Sequence, residues 1–166
     1  PPTHVFVQAG VGALAASVCA AFWLAWEARR PELVIVEPTQ ADCYFQSGVA
    51  GRPIAVTGDL DTVMAGLACG EVSPLAWEIV DAGASAYMVV DDRFALDAMR
   101  TLASPAPGDP SVVAGETGAS GLAALLAAGK HEQIWRTLGL GARSRVVLIG
   151  SEGDTDPEIY RQIGAG

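Results

Sequence analysis

The chain has 166 residues, which is the length of one domain and enough to bury a substantial hydrophobic core. Its apolar fraction of 51% argues against disorder, and its net charge of −9, with few and scattered basic residues, argues against a nucleic-acid surface. We therefore expect a folded, soluble, acidic protein with no nucleic-acid partner.

The first predicted elements are a strand, a glycine turn and a long helix. Apolar residues 5–7 indicate a short buried strand, and Gly10 and Gly12 end it before an Ala-rich run begins near Ala13. That helix is predicted to end among the cations that precede Pro31. A strand, a glycine turn and a helix N-terminus together form a typical binding site for an anion such as phosphate.

The uncharged stretch over residues 5–26 could be mistaken for a membrane span. Its two glycines interrupt it, and the helical remainder is too short to cross a bilayer at about 1.5 Å per residue. We predict no membrane-spanning segment. The chain also opens on Pro1 without a Met, so we expect a piece of a longer polypeptide.

The middle of the chain continues the alternation. A continuous apolar run over residues 33–36 is typical of a strand covered on both faces of a parallel sheet. Helices are predicted over residues 40–47, over 61–68 with Asp59 or Asp61 as the cap, and from Pro74 through Asp81.

The second half follows the same rule. Strands are predicted over residues 86–90, 112–114 and 145–149. Helices are predicted from the caps Asp91 and Asp92 to residue 103, over 119–128 and 131–138, and from Asp156-Pro157 onward.

This order of elements predicts an α/β fold with a doubly wound, mostly parallel sheet in three layers. Ligands of such sheets bind at the carboxyl ends of the strands. Three polar clusters fall there, namely residues 8–12, Glu37 and residues 150–157. We therefore predict that these clusters converge on one edge of the sheet.

Several readings of the glycine turn remain open from the residues alone. Gly10 and Gly12 could simply make a tight turn, because a short glycine motif is weak evidence. They could also belong to a Rossmann-type nucleotide-binding domain, in which Glu37 would bind a ribose hydroxyl. That reading leaves residues 150–157 without a role. A non-catalytic binding or assembly module is a third possibility.

Five longer runs carry a resemblance to a known family. The runs are THVFVQAGVGALA, VIVEPTQADC, GDLDTVMAGLACGEVSPLAWEI, AGETGASGLAALL and VVLIGSEGDTDPEIY. Together they resemble the C-terminal portion of the diaminopropionate ammonia-lyases. These lyases belong to the pyridoxal-phosphate family of the tryptophan-synthase β-subunit and threonine-dehydratase type. The resemblance implies that residues 1–166 are one C-terminal, cofactor-binding portion of a longer lyase.

The resemblance implies specific contacts to the phosphate of pyridoxal 5'-phosphate. The backbone N–H groups of Gly10, Val11, Gly12 and Ala13 would bind the phosphate, and Gln8 would lie close by. A Ser or Thr at the end of the last strand bonds the pyridine nitrogen in this family, and Ser151 matches that position. A hydroxyl at this place leaves the pyridine nitrogen largely unprotonated, which favours elimination.

Other expected roles are less direct. Glu116 is expected near the cofactor ring or the substrate, with helix capping as its alternative, and capping is also the alternative for Ser151. The Schiff-base lysine of the family would lie upstream of Pro1, because Lys130 is the single lysine and its context indicates a solvated residue. This chain alone is therefore expected to be inactive.

The resemblance also implies partners. They are a small amino-acid substrate, the N-terminal half of the same polypeptide and a second copy in a homodimer. His4 and His131 lack metal-ligand spacing, so we predict no metal site. The cysteines are odd in number and widely spaced, which indicates reduced thiols and a cytoplasmic protein.

Overall fold

A computed structural model describes residues 1–164 of the chain. Within these residues, four strands form one parallel sheet in the order β3-β2-β1-β4. The strands are β1 (His4–Gln8), β2 (Glu32–Pro38), β3 (Ala86–Val90) and β4 (Val146–Leu148). The predicted parallel α/β sheet is confirmed.

The helices follow the strands in chain order. They are α1 (Ala13–Trp26), α2 (Cys43–Ala50), α3 (Pro74–Gly83), α4 (Asp92–Ala103), α5 (Ser120–Gly129), α6 (Glu132–Thr137) and α7 (Pro157–Gly164), with short 3-10 turns at Glu27–Arg29 and Ala65–Leu67. Among residues 1–164, no helix has the length and apolarity needed to cross a bilayer.

Helices cover both faces of the sheet, which makes the three predicted layers. Strand side chains alternate between the faces, so Val5 and Val7 of β1 lie in one core while Phe6 lies in the other. The Val5 side packs on α1, α2 and α3, whereas the Phe6 side packs on α4 and α5. Both faces are buried, which explains why β1 and β2 are apolar along their length.

Capping residues explain where several helices begin. The Asp91 carboxylate accepts from the N–H of Arg93 at the start of α4, and Pro74 occupies the first turn of α3. The Asp156 carboxylate accepts from the N–H groups of Glu158 and Ile159 at the start of α7. These helix starts agree with the sequence predictions.

Two predicted elements are wrong. Residues 61–68 form only the 3-10 turn Ala65–Leu67, because Thr62 and Val63 bond to the Asp92 carboxylate and not to a helical ladder. Residues 112–114 have no strand pairing, and the Val112 N–H donates to the carbonyl of Leu102 at the end of α4.

The order of the strands places a switch point beside β1. The chain moves from β1 to β2 to β3 in one direction and then returns to add β4 on the other side of β1. The connections on the two sides therefore leave the sheet in opposite directions, which opens a crevice at the carboxyl ends of β1 and β4. This crevice is the expected ligand position in an open α/β sheet.

Candidate functional site

The loop between β1 and α1 turns at Gly12. Gly12 has a φ of 103°, a left-handed conformation that favours glycine. A Cβ atom at this position would also lie 1.8 Å from Oη of Tyr44, which is fully buried beneath the loop. Residue 12 is therefore glycine for two reasons, its backbone conformation and the space that Tyr44 fills.

The polar groups of this loop are divided by type. Its carbonyl groups accept hydrogen bonds: Val11 accepts from Ser73 N at 2.9 Å and Tyr44 Oη at 3.1 Å, and Gly12 accepts from Ala16 N. Within residues 1–164, the N–H groups of residues 10–13 donate to no other group. With the N-terminus of α1 behind it, the loop offers donors and positive potential, which suits an anion.

A second turn supports the loop from the side. A Cβ atom at Gly10 would lie 2.9 Å from the carbonyl oxygen of Gly66 and 3.0 Å from Sγ of Cys69. Gly10 therefore permits close contact with the 3-10 turn Ala65–Leu67. The segment that was predicted to be a helix instead serves as a wall of the loop.

Gln8 and Ser151 meet across the crevice. They are 143 positions apart in sequence, yet Nε2 of Gln8 donates to Oγ of Ser151 at 2.5 Å. Gln8 is 2% exposed at the end of β1, whereas Ser151 is exposed just after β4. The predicted convergence of the first and last clusters is thus present in the structure.

Ser151 is not a helix cap, because α7 begins six residues later and is capped by Asp156. The hydroxyl of Ser151 is instead held at the mouth of the crevice by Gln8. Its position next to the glycine loop agrees with the geometry expected of a ligand contact.

Glu152 fastens the β4 exit to a further turn. Its Oε2 accepts from the N–H groups of Thr117 at 2.8 Å and Gly118 at 3.3 Å, while its carbonyl oxygen accepts from Gly115 N at 3.2 Å. Thr117 in turn accepts from the N–H of Gly66 at 3.1 Å through its hydroxyl. We call Glu152, Thr117, Gly66 and Gly10 the clamp chain, since each contacts the next.

Glu37 does not reach the crevice as a free acid. Its two carboxylate oxygens accept from the N–H groups of Tyr44 and Phe45, each at 2.8 Å, so that it caps the N-terminus of α2 from β2. The carboxylate is 1% exposed. The prediction that all three polar clusters meet is therefore correct for two of them only.

The electrostatics around Glu37 follow from burial. Burial raises the pKa of the Glu37 carboxyl to about 7, although the N–H groups of Tyr44 and Phe45 oppose the shift. Burial, with the adjacent Glu37, raises the pKa of the Cys43 thiol to about 12. The thiol therefore stays protonated and donates towards Oε1 of Glu37 at 3.5 Å.

The remaining candidates take different places. Glu116 is half-buried in the turn before α5, and its side chain makes no hydrogen bond within residues 1–164, so the capping role is not found there. Lys130 is exposed just past the end of α5. Since α5 starts beside the Thr117 turn and runs about 15 Å away from it, Lys130 lies at the far end of that helix.

His4 is a structural residue in this fold. Its Nε2 bonds the carbonyl of Leu138 and its Nδ1 bonds the hydroxyl of Thr3, both at 2.8 Å, which ties β1 to the connection before β4. His131 is exposed at the start of α6. The described residues contain no group of three or more His, Cys, Asp or Glu side chains arranged for a metal ion.

Sequence reasoning missed Tyr44, Thr117 and Glu152. Glu152 had one signal, because it directly follows Ser151 in a loop rich in polar residues. Tyr44 and Thr117 had none, since their roles depend on contacts with segments 33 and 51 positions away.

A parallel α/β sheet with an anion-binding glycine loop at its switch point is the architecture of a cofactor-binding enzyme domain. The family model of pyridoxal-phosphate dependent enzymes matches residues 1–152. The chain belongs to this family.

Relatives within the family narrow the similarity. The diaminopropionate ammonia-lyase of Escherichia coli strain K12 is 42% identical over 165 residues, which are 98% of this chain and 42% of that protein. The crystal structure of the selenomethionine-labelled holo form of the enzyme from Escherichia coli has a TM-score of 0.91 and 40% identity, covering 99% of this chain and 41% of the other.

A more distant relative shares the same fold. The threonine deaminase of T.th. has a TM-score of 0.76 and 25% identity, covering 94% of this chain and 51% of that chain. The chain thus spans less than half the length of the lyases it matches.

Proposed function

We propose that this chain is the C-terminal, cofactor-binding portion of a pyridoxal-phosphate-dependent ammonia-lyase. Its substrate is 2,3-diaminopropionate, which α,β-elimination converts to pyruvate and ammonia. The observation that carries the proposal is the crevice in which Gln8 and Ser151 face each other beside the glycine loop. The identity to lyases of that name supports the choice of substrate.

The residues present fit the cofactor. The loop offers the N–H groups of Gly10, Val11, Gly12 and Ala13 to a phosphate, while its carbonyl groups are engaged elsewhere. Oε1 of Gln8 is buried and has no hydrogen-bond partner within residues 1–164. A buried polar atom without a partner costs about 1–3 kcal/mol, so a polar ligand in the crevice would relieve a real penalty.

The chain's own residues then have defined tasks. The loop would hold the phosphate, the Ser151 hydroxyl would bond the pyridine nitrogen, and Glu116 would lie towards the ring or the substrate. When bound, pyridoxal phosphate supplies an electron sink that stabilises negative charge at the substrate α-carbon. Cofactor orientation, and not proton transfer, is the contribution of these residues.

A dinucleotide is a weaker candidate for the same loop. In that alternative Glu37 would bind the ribose, but both of its oxygens are bonded to α2 and the side chain is 1% exposed. A ribose hydroxyl would have to displace these two backbone donors. The geometry of Glu37 therefore favours pyridoxal phosphate over a nucleotide.

The proton transfers need a base from elsewhere. We infer that a lysine and a second acidic group come from the part of the lyase that precedes this chain's segment. Two facts support this inference: Lys130 lies at the far end of α5, and the relatives are more than twice as long as the matched segment.

We also infer that the full lyase is a homodimer. The support is that α1 carries no charged residue although part of its surface is open, with Leu24 83% exposed. Leu75 on α3 is 71% exposed as well. Light scattering of the full-length protein tests this inference, and a monomeric mass would contradict it.

A cytoplasmic location completes the proposal. Cys19, Cys43 and Cys69 are unpaired among the described residues, and the first two are buried. Free thiols of this kind are typical of a reducing compartment. Fractionation of the source cells tests the location.

The decisive experiment uses the full-length polypeptide that carries this segment. We expect its absorbance to report pyridoxal phosphate in titrations where NAD has no effect. Addition of 2,3-diaminopropionate should release pyruvate, measured through lactate dehydrogenase. Lys130→Ala is the matched control and should leave both signals unchanged, because Lys130 is exposed and distant from the crevice.

Three outcomes would contradict the proposal in different ways. Binding of NAD in place of pyridoxal phosphate would indicate the nucleotide-binding alternative. Binding of neither would favour a non-catalytic assembly module. Cofactor binding with turnover of serine or threonine alone would keep the family and remove the proposed substrate.

A further inference from the structure

The contact between Gln8 and Ser151 has a direction. The amide nitrogen Nε2 of Gln8 lies 2.5 Å from Oγ of Ser151, and an amide nitrogen can only donate. Gln8 is 2% exposed at the end of β1, so burial restricts this side chain. Ser151, which is exposed, is therefore the more adaptable member of the pair.

The direction of this bond determines what Ser151 can do. A serine hydroxyl has one hydrogen and two lone pairs. Since Gln8 donates to one lone pair, the hydroxyl hydrogen cannot point back at Nε2 and must turn to another acceptor. Ser151 thus presents a donor on the side away from Gln8.

We propose that Gln8 is a positioning residue that holds Ser151 as a hydrogen-bond donor and so selects an unprotonated pyridine nitrogen in the cofactor. The inference rests on the proposed function, because it needs the cofactor ring to face Ser151. An unprotonated ring nitrogen accepts from this hydroxyl. A protonated one would place two donors face to face, which leaves one hydrogen bond unmade.

Other groups near the pair are consistent with this role. Glu152, the next residue, has its Oε2 bonded to the N–H groups of Thr117 and Gly118 and its Oε1 near the hydroxyl of Thr155. It is therefore oriented towards the turn before α5. Gln8 is the described side chain that hydrogen-bonds the Ser151 hydroxyl.

Two substitutions at Gln8 separate direction from charge. Gln8→Glu replaces the donor with an acceptor, so that the Ser151 hydrogen turns back to residue 8 and a lone pair faces the ring. Gln8→Met removes the donor without adding charge and leaves the hydroxyl free to rotate. Both side chains are close in size to glutamine, which limits repacking around β1.

The test is nuclear magnetic resonance of the full-length holo-protein loaded with pyridoxal phosphate that carries ¹⁵N in its ring. We expect the wild-type signal in the range of a neutral pyridine at pH 7. Gln8→Glu should move it to the pyridinium range, and Gln8→Met should raise the protonated fraction and make it depend on pH. Thermal unfolding of each variant monitors the fold.

Each outcome bears on the inference. A wild-type signal in the pyridinium range would overturn it while leaving the proposed function intact. Unchanged signals in both variants would also overturn it, and so would a shift in Gln8→Glu alone, because that result would reflect only the added charge. If Gln8→Glu does not hold the cofactor, Gln8→Met decides. A wild-type protein that binds no pyridoxal phosphate would overturn the proposed function itself.

Discussion

The hydroxyl of Tyr44 lies 3.1 Å from the carbonyl oxygen of Val11 and fills the space next to Gly12. Tyr44 belongs to α2, whose N-terminus is capped by Glu37 from β2. The shape of the glycine loop therefore depends on a carboxylate that never reaches the crevice. Glu37 acts on the site through a helix and a tyrosine.

Gly12→Ala should disrupt the loop. The left-handed backbone costs a non-glycine residue about 1–2 kcal/mol, and the clash with Tyr44 adds about 1–3 kcal/mol. We expect the free energy of unfolding to fall by about 2–5 kcal/mol and cofactor binding to be lost, as measured by urea denaturation and absorbance titration. Gly51→Ala is the matched control, since Gly51 has a φ of 65° but open space around it. Equal effects of the two substitutions would refute the steric role of Tyr44.

Tyr44→Phe should weaken the loop without breaking it. The substitution removes one donor to the Val11 carbonyl and leaves the N–H of Ser73 in place. We expect a loss of about 1 kcal/mol in stability and about fivefold in cofactor affinity. Tyr160→Phe on α7, where the hydroxyl makes no hydrogen bond within residues 1–164, should change neither. The role assigned to the hydroxyl is wrong if the two variants bind the cofactor equally well.

Glu37 should make stability depend on pH. Burial raises its pKa from 4.5 to about 7 in the folded chain, so the folded state holds a proton that the unfolded state releases between these values. Stability from this group is fully present below pH 4.5 and is lost as pH rises through 7. From pH 5 to pH 8 we expect the wild type to lose about 2–3 kcal/mol more than Glu37→Gln.

Urea denaturation of the two proteins at both pH values checks this expectation. All other titrating groups are common to the pair, so the difference isolates Glu37. Parallel pH profiles would show that the Tyr44 and Phe45 N–H groups compensate fully for burial.

Glu152→Ala should loosen the clamp chain. The loss of a carboxylate that accepts from Thr117 N and Gly118 N costs about 1.5–3 kcal/mol. We expect faster hydrogen exchange at these two amides and about a tenfold weaker cofactor affinity. Glu152→Gln retains an acceptor oxygen and should recover most of both. Glu158→Ala, an exposed acidic position on α7, serves as the control. Unaltered exchange at Thr117 and Gly118 in Glu152→Ala would contradict this assignment.

Local signals in the sequence were sufficient for the fold. The apolar run of β2, the Ser73-Pro74 start of α3 and the Asp91 cap of α4 each depend on a few neighbouring residues, and each was predicted correctly. The approach of Gln8 to Ser151 also followed from sequence, because the carboxyl ends of parallel strands share one edge.

Nonlocal contacts account for what sequence reasoning missed. Residues 61–68 have helical composition, but the Asp92 carboxylate binds Thr62 and Val63 and outcompetes the helical bonds. Glu37 occupies the expected sequence position of a ribose ligand, yet the start of α2 folds back over it. Glu152 and Thr117 could not be paired in advance, because no periodicity links a loop after β4 to a turn before α5.

The return of β4 to the side of β1 also has a consequence for biosynthesis. The ribosome completes Gln8 and the glycine loop early, but Ser151 and Glu152 emerge only after every other strand of the described sheet has been made. Closing so long a segment of chain is slow and entropically costly. We expect the nascent polypeptide to acquire cofactor affinity only as its last strand leaves the exit tunnel, so that a truncated product would be unable to retain the cofactor.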